Sequence, residues 1–332
     1  MNPNSVAVVG HLYVDHIFDG ITDIPHLGEE VYASGYHRSI GGGAAIASCW
    51  LARLGKDVSV IGVIGAAERN LFVDAFHKFG VNCRLVRVCS DPSGLTCAAS
   101  LHSDRAFLTY CGANERLETY LLDDRLLHEL ECVSHVHFAV PLSARIARKL
   151  LPPLKAAGCT VSLHAGYNPK WYASDASRLV WPYLDCLFCN EPEAQLLVGS
   201  NTTDEPLYDA LFDAAKAYGI KQCVLKVGQR GAMAEMHGQR IQVLPPRVTP
   251  IETTGAGDAF DAGYIESWMS GGSHRDRLQR GCVCGALSIG APGGPTLASS
   301  KSVIDEIELK AYTEHVTPPR AANDTQSVNV GC

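Results

Sequence analysis

No apolar run in this 332-residue chain approaches the roughly 18 residues that a membrane-spanning helix requires. The opening residues, "MNPNSVAVVGHLYVDH", have no basic stretch ahead of an apolar segment and pass at once into a strand pattern, so no secretory signal is read there and a cytoplasmic protein is expected. There is no G-x-x-x-x-G-K-[ST] segment, which excludes a P-loop nucleotide site. Charge is sparse and slightly acidic: 19% of residues are charged and the formal net charge is −7, which argues against a nucleic-acid partner. The zinc pattern of two spaced cysteine pairs is also missing. "CLFC" (Cys186 to Cys189) and "CVC" (Cys282 to Cys284) stand without a companion at finger spacing.

Cysteine itself is plentiful. There are 13, an odd number, and most lie inside apolar runs such as "ASCWLARLG" and "KQCVLKVG". They read as reduced, buried, small hydrophobes. With 46% hydrophobic residues the chain can build a sizeable core. Short apolar strands ("VAVVG", "VSVIGVIG", "HVHFAV", "CVLKVG") alternate with amphipathic helices ("AAIASCWLARLG", "RNLFVDAFHKFG", "LYDALFDAAKAYG"). That rhythm predicts an α/β fold, a three-layer α/β/α arrangement around a mostly parallel sheet. Residues of about 12–39 and 84–111 break it with half-polar strands and no helices, and predict a small separate sheet placed as a lid. We expect one α/β domain over 1–312 and a disordered tail over 313–332. His135 and His137, alternating on one strand, read as an ordinary strand pair.

The chemistry concentrates in "TTGAGDAFDAGY", Thr253 to Tyr264. A helix is predicted to begin with Gly255, Ala256 and Gly257, which bury almost nothing, to carry Asp258 in its first turn and to run on from Ala259 through Trp268. A helix N-terminus carries unpaired amides and a partial positive charge, and small residues let an anion reach them. One reading is an anion hole formed by the amides of Ala256, Gly257 and Asp258; the other is a plain cap with Thr254 as N-cap. A carboxylate at Asp258 would repel an anion there unless it does chemistry, and the chemistry that fits is proton removal from an alcohol attacking a phosphoryl group.

This stretch resembles the second signature of the ribokinase-like (PfkB) carbohydrate kinases, and the resemblance runs through the chain in order: "VVGHLYVD" with Asp15, "GGGAAIASCWLARLG" with Gly41 and Gly42, the lid segment "SDRAFLTYCGAN", "NEPEA" with Asn190 and Glu193, "LKVGQRGA", and "GAPGGP" from Gly290. It implies a Rossmann-like α/β/α ribokinase fold with a lid, and phosphoryl transfer from ATP to an alcohol group of a small sugar or sugar derivative. Asp258 is then the general base and Gly255, Ala256 and Gly257 the anion hole. Asp15, Gly41, Gly42, Arg105 and Asn168 are assigned to the acceptor. Asn190, Glu193, Lys226, Gly228, Gly231 and Gly290 are assigned to the nucleotide, with Glu193 contacting Mg²⁺ through water. Glu252 and Thr254 belong to a loop that holds a monovalent cation, K⁺, and the longer side chain of Glu252 leaves that activation open. A homodimer through the lid is expected. Read from the residues alone, a capping box competes with the Mg²⁺ role of Asn190 and Glu193, and solvated surface cations compete with an anion-binding role for Arg105 and Lys170.

The chain departs from the pattern at Ile46, where an Asn is usual, at His164, where an Asp is common, at Ala66 and Ala67, at Glu252 and at Lys226, where a Thr is common. The changes are read as clustering on the acceptor side and the cation loop, so an unusual acceptor is expected, and one carrying an anionic group is considered. A nucleoside acceptor and a catalytically silent ligand-binding protein are the competing functions. A dinucleotide oxidoreductase is disfavoured because "GGGAAIA" lacks the third glycine and the acidic residue about 20 positions on.

Overall fold

The computed structural model describes residues 2–100, 105–236, 239–251, 253–290 and 298–313. In chain order the elements are β1 (Asn2–Gly10), β2 (Tyr13–Asp19), β3 (Gly35–Gly41), α1 (Gly43–Arg53), β4 (Asp57–Gly65), α2 (Arg69–Phe79), β5 (Val86–Cys89), β6 (Gly94–Ser100), β7 (Arg105–Tyr110), α3 (Leu117–Leu121), α4 (Asp124–Glu131), β8 (Val133–Ala139) and α5 (Ala144–Ala156). They continue with β9 (Thr160–Leu163), α6 (Pro169–Tyr172), α7 (Asp175–Val180), β10 (Cys186–Asn190), α8 (Glu191–Val198), α9 (Asp204–Ala217), β11 (Cys223–Lys226), β12 (Ala232–Met236), β13 (Gln239–Val243), α10 (Ala256–Met269), α11 (His274–Ser288) and α12 (Lys301–Thr313). No helix among the described residues is long and apolar enough to cross a membrane.

The large sheet has the order β13-β12-β11-β10-β9-β8-β1-β4-β5. It is parallel from β11 to β5, and β12 and β13 add an antiparallel edge. Both faces are covered, which is why its strands are continuously apolar rather than alternating. On β1, Val6 and Val8 join the core beneath α1, α2, α10, α11 and α12, while Ala7 and Val9 join the core beneath α3 to α9. The same two-fold alternation separates Cys186 from Cys189, which enter opposite cores, so "CLFC" presents no paired thiols to a metal. The twelve described cysteines are free thiols. His135 and His137 are fully buried and held by hydroxyls: His135 lies 2.8 Å from both Thr160 Oγ1 and Ser162 Oγ, and His137 Nδ1 lies 2.8 Å from Ser162 Oγ. Burial pushes their pKa values down to about 3 and about 4, so both are neutral members of the core.

The second sheet is the expected lid, with four strands in the order β3-β2-β6-β7. Two corrections follow. The stretch "CRLVRVC", expected in the lid, instead places β5 at the edge of the large sheet, parallel to β4. The first lid segment forms strands only at β2 and β3, with irregular chain between them. Helix α10 begins at Ala256, after Gly255 as N-cap, so Gly257 and Asp258 lie in its first turn as expected.

Helix α1 packs against both α10 and the sheet, and Trp50 is its anchor with no exposed surface. Truncating so large a buried ring leaves a cavity that the neighbours cannot fill. We therefore expect Trp50→Ala to cost about 3–5 kcal/mol, read as a lower midpoint in urea unfolding; a shift worth less than about 1 kcal/mol would show that α1 does not depend on this side chain.

Candidate active site

The starts of α1 and α10 meet beneath the lid and line a half-open cavity of about 150 Å³. Strand β2 contributes Tyr13, Asp15 and Ile17 to its wall. Thr96, Ala98 and Phe107 come from β6 and β7, Gly42, Gly43 and Ile46 from the start of α1, and Thr254, Gly255 and Asp258 from the start of α10. The sequence-predicted acceptor acid Asp15 and the predicted base Asp258 are thus brought to one cavity by elements more than 200 residues apart in the chain.

The glycine run beneath them has a specific reason. A side chain on Gly41 would put its Cβ 1.8 Å from Asp15 Oδ2, and one on Gly43 would put it 2.8 Å from Asp258 Oδ1. Each carboxylate therefore rests on a bare glycine Cα. Gly41, read from sequence as room for a polyol, makes room for Asp15 instead; Gly42 and Gly43 line the cavity itself. At the start of α10 the N-cap is Gly255, in the left-handed region at φ 79°, with no side-chain hydrogen bond. The alternative in which Thr254 caps the helix does not occur. Its first helical bond runs from Ala259 N to Gly255 O at 2.9 Å, and the Ala256 amide reaches back to Thr253 O at 3.4 Å.

Below Asp258 lies a buried ion cluster. Asp261, one turn further along α10 and fully buried, accepts from Lys226 Nζ at 2.9 and 3.2 Å and lies 2.7 Å from His164 Nδ1. His164 Nδ1 is also 3.6 Å from Asp258 Oδ1, and its Nε2 is 3.4 Å from Glu193 Oε2. Lys226 Nζ approaches His164 Nδ1 and the Gly257 carbonyl, each at 3.4 Å. Burial and the Lys226 charge push the His164 pKa down, but the Asp261, Glu193 and Asp258 carboxylates outweigh them and hold it well above 6.5. Burial pushes the Asp261 and Glu193 carboxyls up, and the neighbouring cations more than reverse that, leaving both below their ordinary values. Lys226 is raised in the same way, its burial outweighed by Asp261 and Glu193. His164, read from sequence as a departure, and Lys226, a departure assigned to the nucleotide, are not in the cavity lining; they sit together behind Asp258. His164, Asp258 and Asp261 also bring one ligand atom each within 4.8 Å of one another, a spacing a metal ion accepts. Asp261 was missed in the sequence, although its i+3 spacing from Asp258 puts both acids on one helix face.

The remaining expected residues are more dispersed. Asn190 and Glu193 form a capping box at α8: Asn190 Oδ1 accepts from Glu193 N at 2.9 Å and Glu193 Oε2 from Asn190 N at 3.0 Å. Asn168 caps α6, accepting from Trp171 N at 3.0 Å, and is not in the cavity lining. Gly228 and Gly231 flank the turn between β11 and β12, and Gly231 passes so close to β13 that a Cβ would lie 1.8 Å from Val243 O. Gly290 ends the turn after α11, and the rest of "GAPGGP" lies outside the described residues. Arg105 opens β7, with its side chain outside what is described; Lys170 is exposed on α6. Glu252 and the tail from 314 onward are also outside the described residues.

A carboxylate at an open helix N-terminus thus shares a cavity with a second acid under a β lid. The profile of the pfkB family carbohydrate kinases matches residues 3–300, and the chain belongs to that family. Among its relatives, a 2-dehydro-3-deoxygluconokinase of Bacillus subtilis is 26% identical over 281 residues, covering 78% of this chain and 83% of the relative. A ribokinase of Haemophilus influenzae is 24% identical over 329 residues, covering 94% and 99%. The solved structure of Arabidopsis thaliana ribokinase with ribose and ATP superposes with a TM-score of 0.80 at 24% identity, over 92% of this chain and 98% of the other, which shows the fold.

The ion cluster sets a pH dependence. Because the His164 pKa is raised on folding, its stabilisation is complete below the unfolded value of 6.5 and is lost as pH rises through the folded value. In thermal melts from pH 5.5 to 9.5, the excess stability of wild type over His164→Gln should be largest at the acid end and shrink toward the alkaline end. A gap that widens with pH would mean that the imidazole is held neutral.

Proposed function

We propose that the protein transfers the γ-phosphoryl group of ATP to a hydroxyl of a small sugar or sugar derivative, with Asp258 as general base. The observation that carries this reading is the shared cavity: Asp258 and the uncapped start of α10 face Asp15 across a space of about 150 Å³. Asp15 accepts hydrogen bonds from acceptor hydroxyls and fixes the ring. A reacting hydroxyl beside Asp258 gives its proton to the carboxylate as its oxygen bonds to phosphorus and the bond to ADP breaks. The amides of Gly257 and Asp258, at the positive end of the helix, stabilise the charge on the transferring group, with Ala256 completing the turn.

Mg²⁺, when bound, neutralises the phosphate charge. The bonds that Asn190 and Glu193 make to each other fit an outer role, touching the ion through water, and do not offer direct ligation. The nucleotide is assigned to Lys226, Gly228, Gly231 and Gly290, and Arg105 to the acceptor side. K⁺ belongs to this reading at the loop of Glu252 and Thr254, of which Thr254 lines the cavity.

Removing the base while keeping its shape is the direct test. Asp258→Asn should lower turnover by roughly 10² or more with ATP affinity nearly unchanged, measured as ADP release and as nucleotide binding by calorimetry. Turnover within a few-fold of wild type would remove Asp258 from this role.

The homodimer rests on the outer face of the lid. Phe18, Tyr36, Leu108 and Tyr110 are 37%, 52%, 77% and 54% exposed there, and the Phe18 and Tyr36 rings lie 5.4 Å apart. An apolar sheet face of this kind requires cover. Sedimentation should give a dimer at micromolar concentration, and Leu108→Glu should shift it to monomer; a wild-type monomer throughout would discard the lid interface.

A further inference from the structure

The register of the lid strands divides the roof of the cavity into two rows. Asp15 stands opposite Thr96, and one step along, Ile17 stands opposite Ala98, which in turn pairs with Phe107. Ile17 and Ala98 are 1% and 2% exposed, so the second row offers an acceptor carbon contact and no hydrogen bond. On the opposite wall Ile46 is 2% exposed, one turn beyond Gly43 on the same face of α1. Its Cδ1 lies 2.6 Å from where a Cβ on Gly255 would stand, so Ile46 is packed onto the N-cap of α10, beside the base that rests on Gly43. Ile46 thus puts a branched hydrocarbon into the cavity lining beside Gly255 and Asp258, with Thr254 next to them. A hydroxyl turned toward that hydrocarbon would surrender its water without gaining a partner.

We propose that the acceptor presents to Ile46 a carbon without a hydroxyl, a deoxy or methyl position near the reacting hydroxyl, and that Ile46 is the residue that selects it. This rests on the phosphoryl-transfer reading of the cavity and names the acceptor class within it. Asp15 and Asp258 hold the hydroxylated edge of such a molecule, while Ile46 and the Ile17 row hold its reduced part. The charge of the acceptor does not enter the argument, so a deoxy sugar and a deoxy sugar acid share the chemistry that Ile46 reads.

The test uses matched pairs that differ by one oxygen: D-ribose and 2-deoxy-D-ribose, D-fructose and 1-deoxy-D-fructose, D-galactose and D-fucose, 2-keto-D-gluconate and 2-keto-3-deoxy-D-gluconate. Binding is read by calorimetry without ATP, and ADP release is read separately with ATP and Mg²⁺. In at least one pair the deoxy member should bind about tenfold tighter or better. Ile46→Thr and Ile46→Asn should erase or reverse that preference, and Ile46→Val, which keeps the wall apolar, should retain it. Wild type binding the hydroxylated member of every pair as well as the deoxy member, or better, overturns the proposal. So does a deoxy preference that Ile46→Thr leaves unchanged. ADP release without the preference removes this inference and leaves the kinase reading standing, whereas the preference in binding without ADP release does the reverse.

Discussion

Three carboxylates converge where α10 begins, and the site depends on their being neutralised there. Asp258, Asp261 and Glu193 come from two helices, and two of them, Asp261 and Glu193, are almost without solvent. Burying that much negative charge unpaired would be prohibitive. Lys226 at the end of β11 and His164 just beyond β9 supply the compensation, and Asp261 is shared between them. The ends of two strands are thereby tied to the starts of two helices. Helix α10 is held there by this pairing as well as by its apolar packing. An ion pair of this kind is weak support for stability, but removing one partner is costly, because the others are left uncompensated.

Much of the architecture was legible in the sequence because it rests on local rules. Continuous apolar strands alternating with amphipathic helices admit a parallel sheet covered on both faces and little else, and helix-breaking glycines marked several boundaries. Asp258 was legible because a carboxylate among small residues at a helix start is chemically conspicuous. What escaped depends on contacts distant in the chain. Strand β5 has the half-polar look of a lid strand, yet pairing with β4 decides its place. Asp261 sits inside a helix and reads as an ordinary polar position until Lys226 and His164 are seen against it. His164 and Lys226 were noticed singly as departures, but nothing in their spacing says that they meet.

The glycines carry a related point. Gly41 and Gly42 were assigned together to the acceptor, whereas these two and Gly43 each serve a different neighbour: Asp15, the His11 carbonyl and Asp258. A run of identical residues can hold three distinct constraints. Their common result is that Asp15 and Asp258 are seated against the same few atoms of main chain, so the backbone helps to fix the separation of the two carboxylates.

The middle glycine also marks a crossing. The chain enters the lid through His11 and Leu12, between β1 and β2, and returns from β3 through Gly42 into α1. A Cβ at Gly42 would stand 2.4 Å from the His11 carbonyl oxygen, so the outgoing and returning strands touch at their shared root. One residue beyond that shared root is Gly43, on which Asp258 rests. The root of the lid and the main chain beneath Asp258 are therefore successive residues of one backbone turn, Gly42 and Gly43.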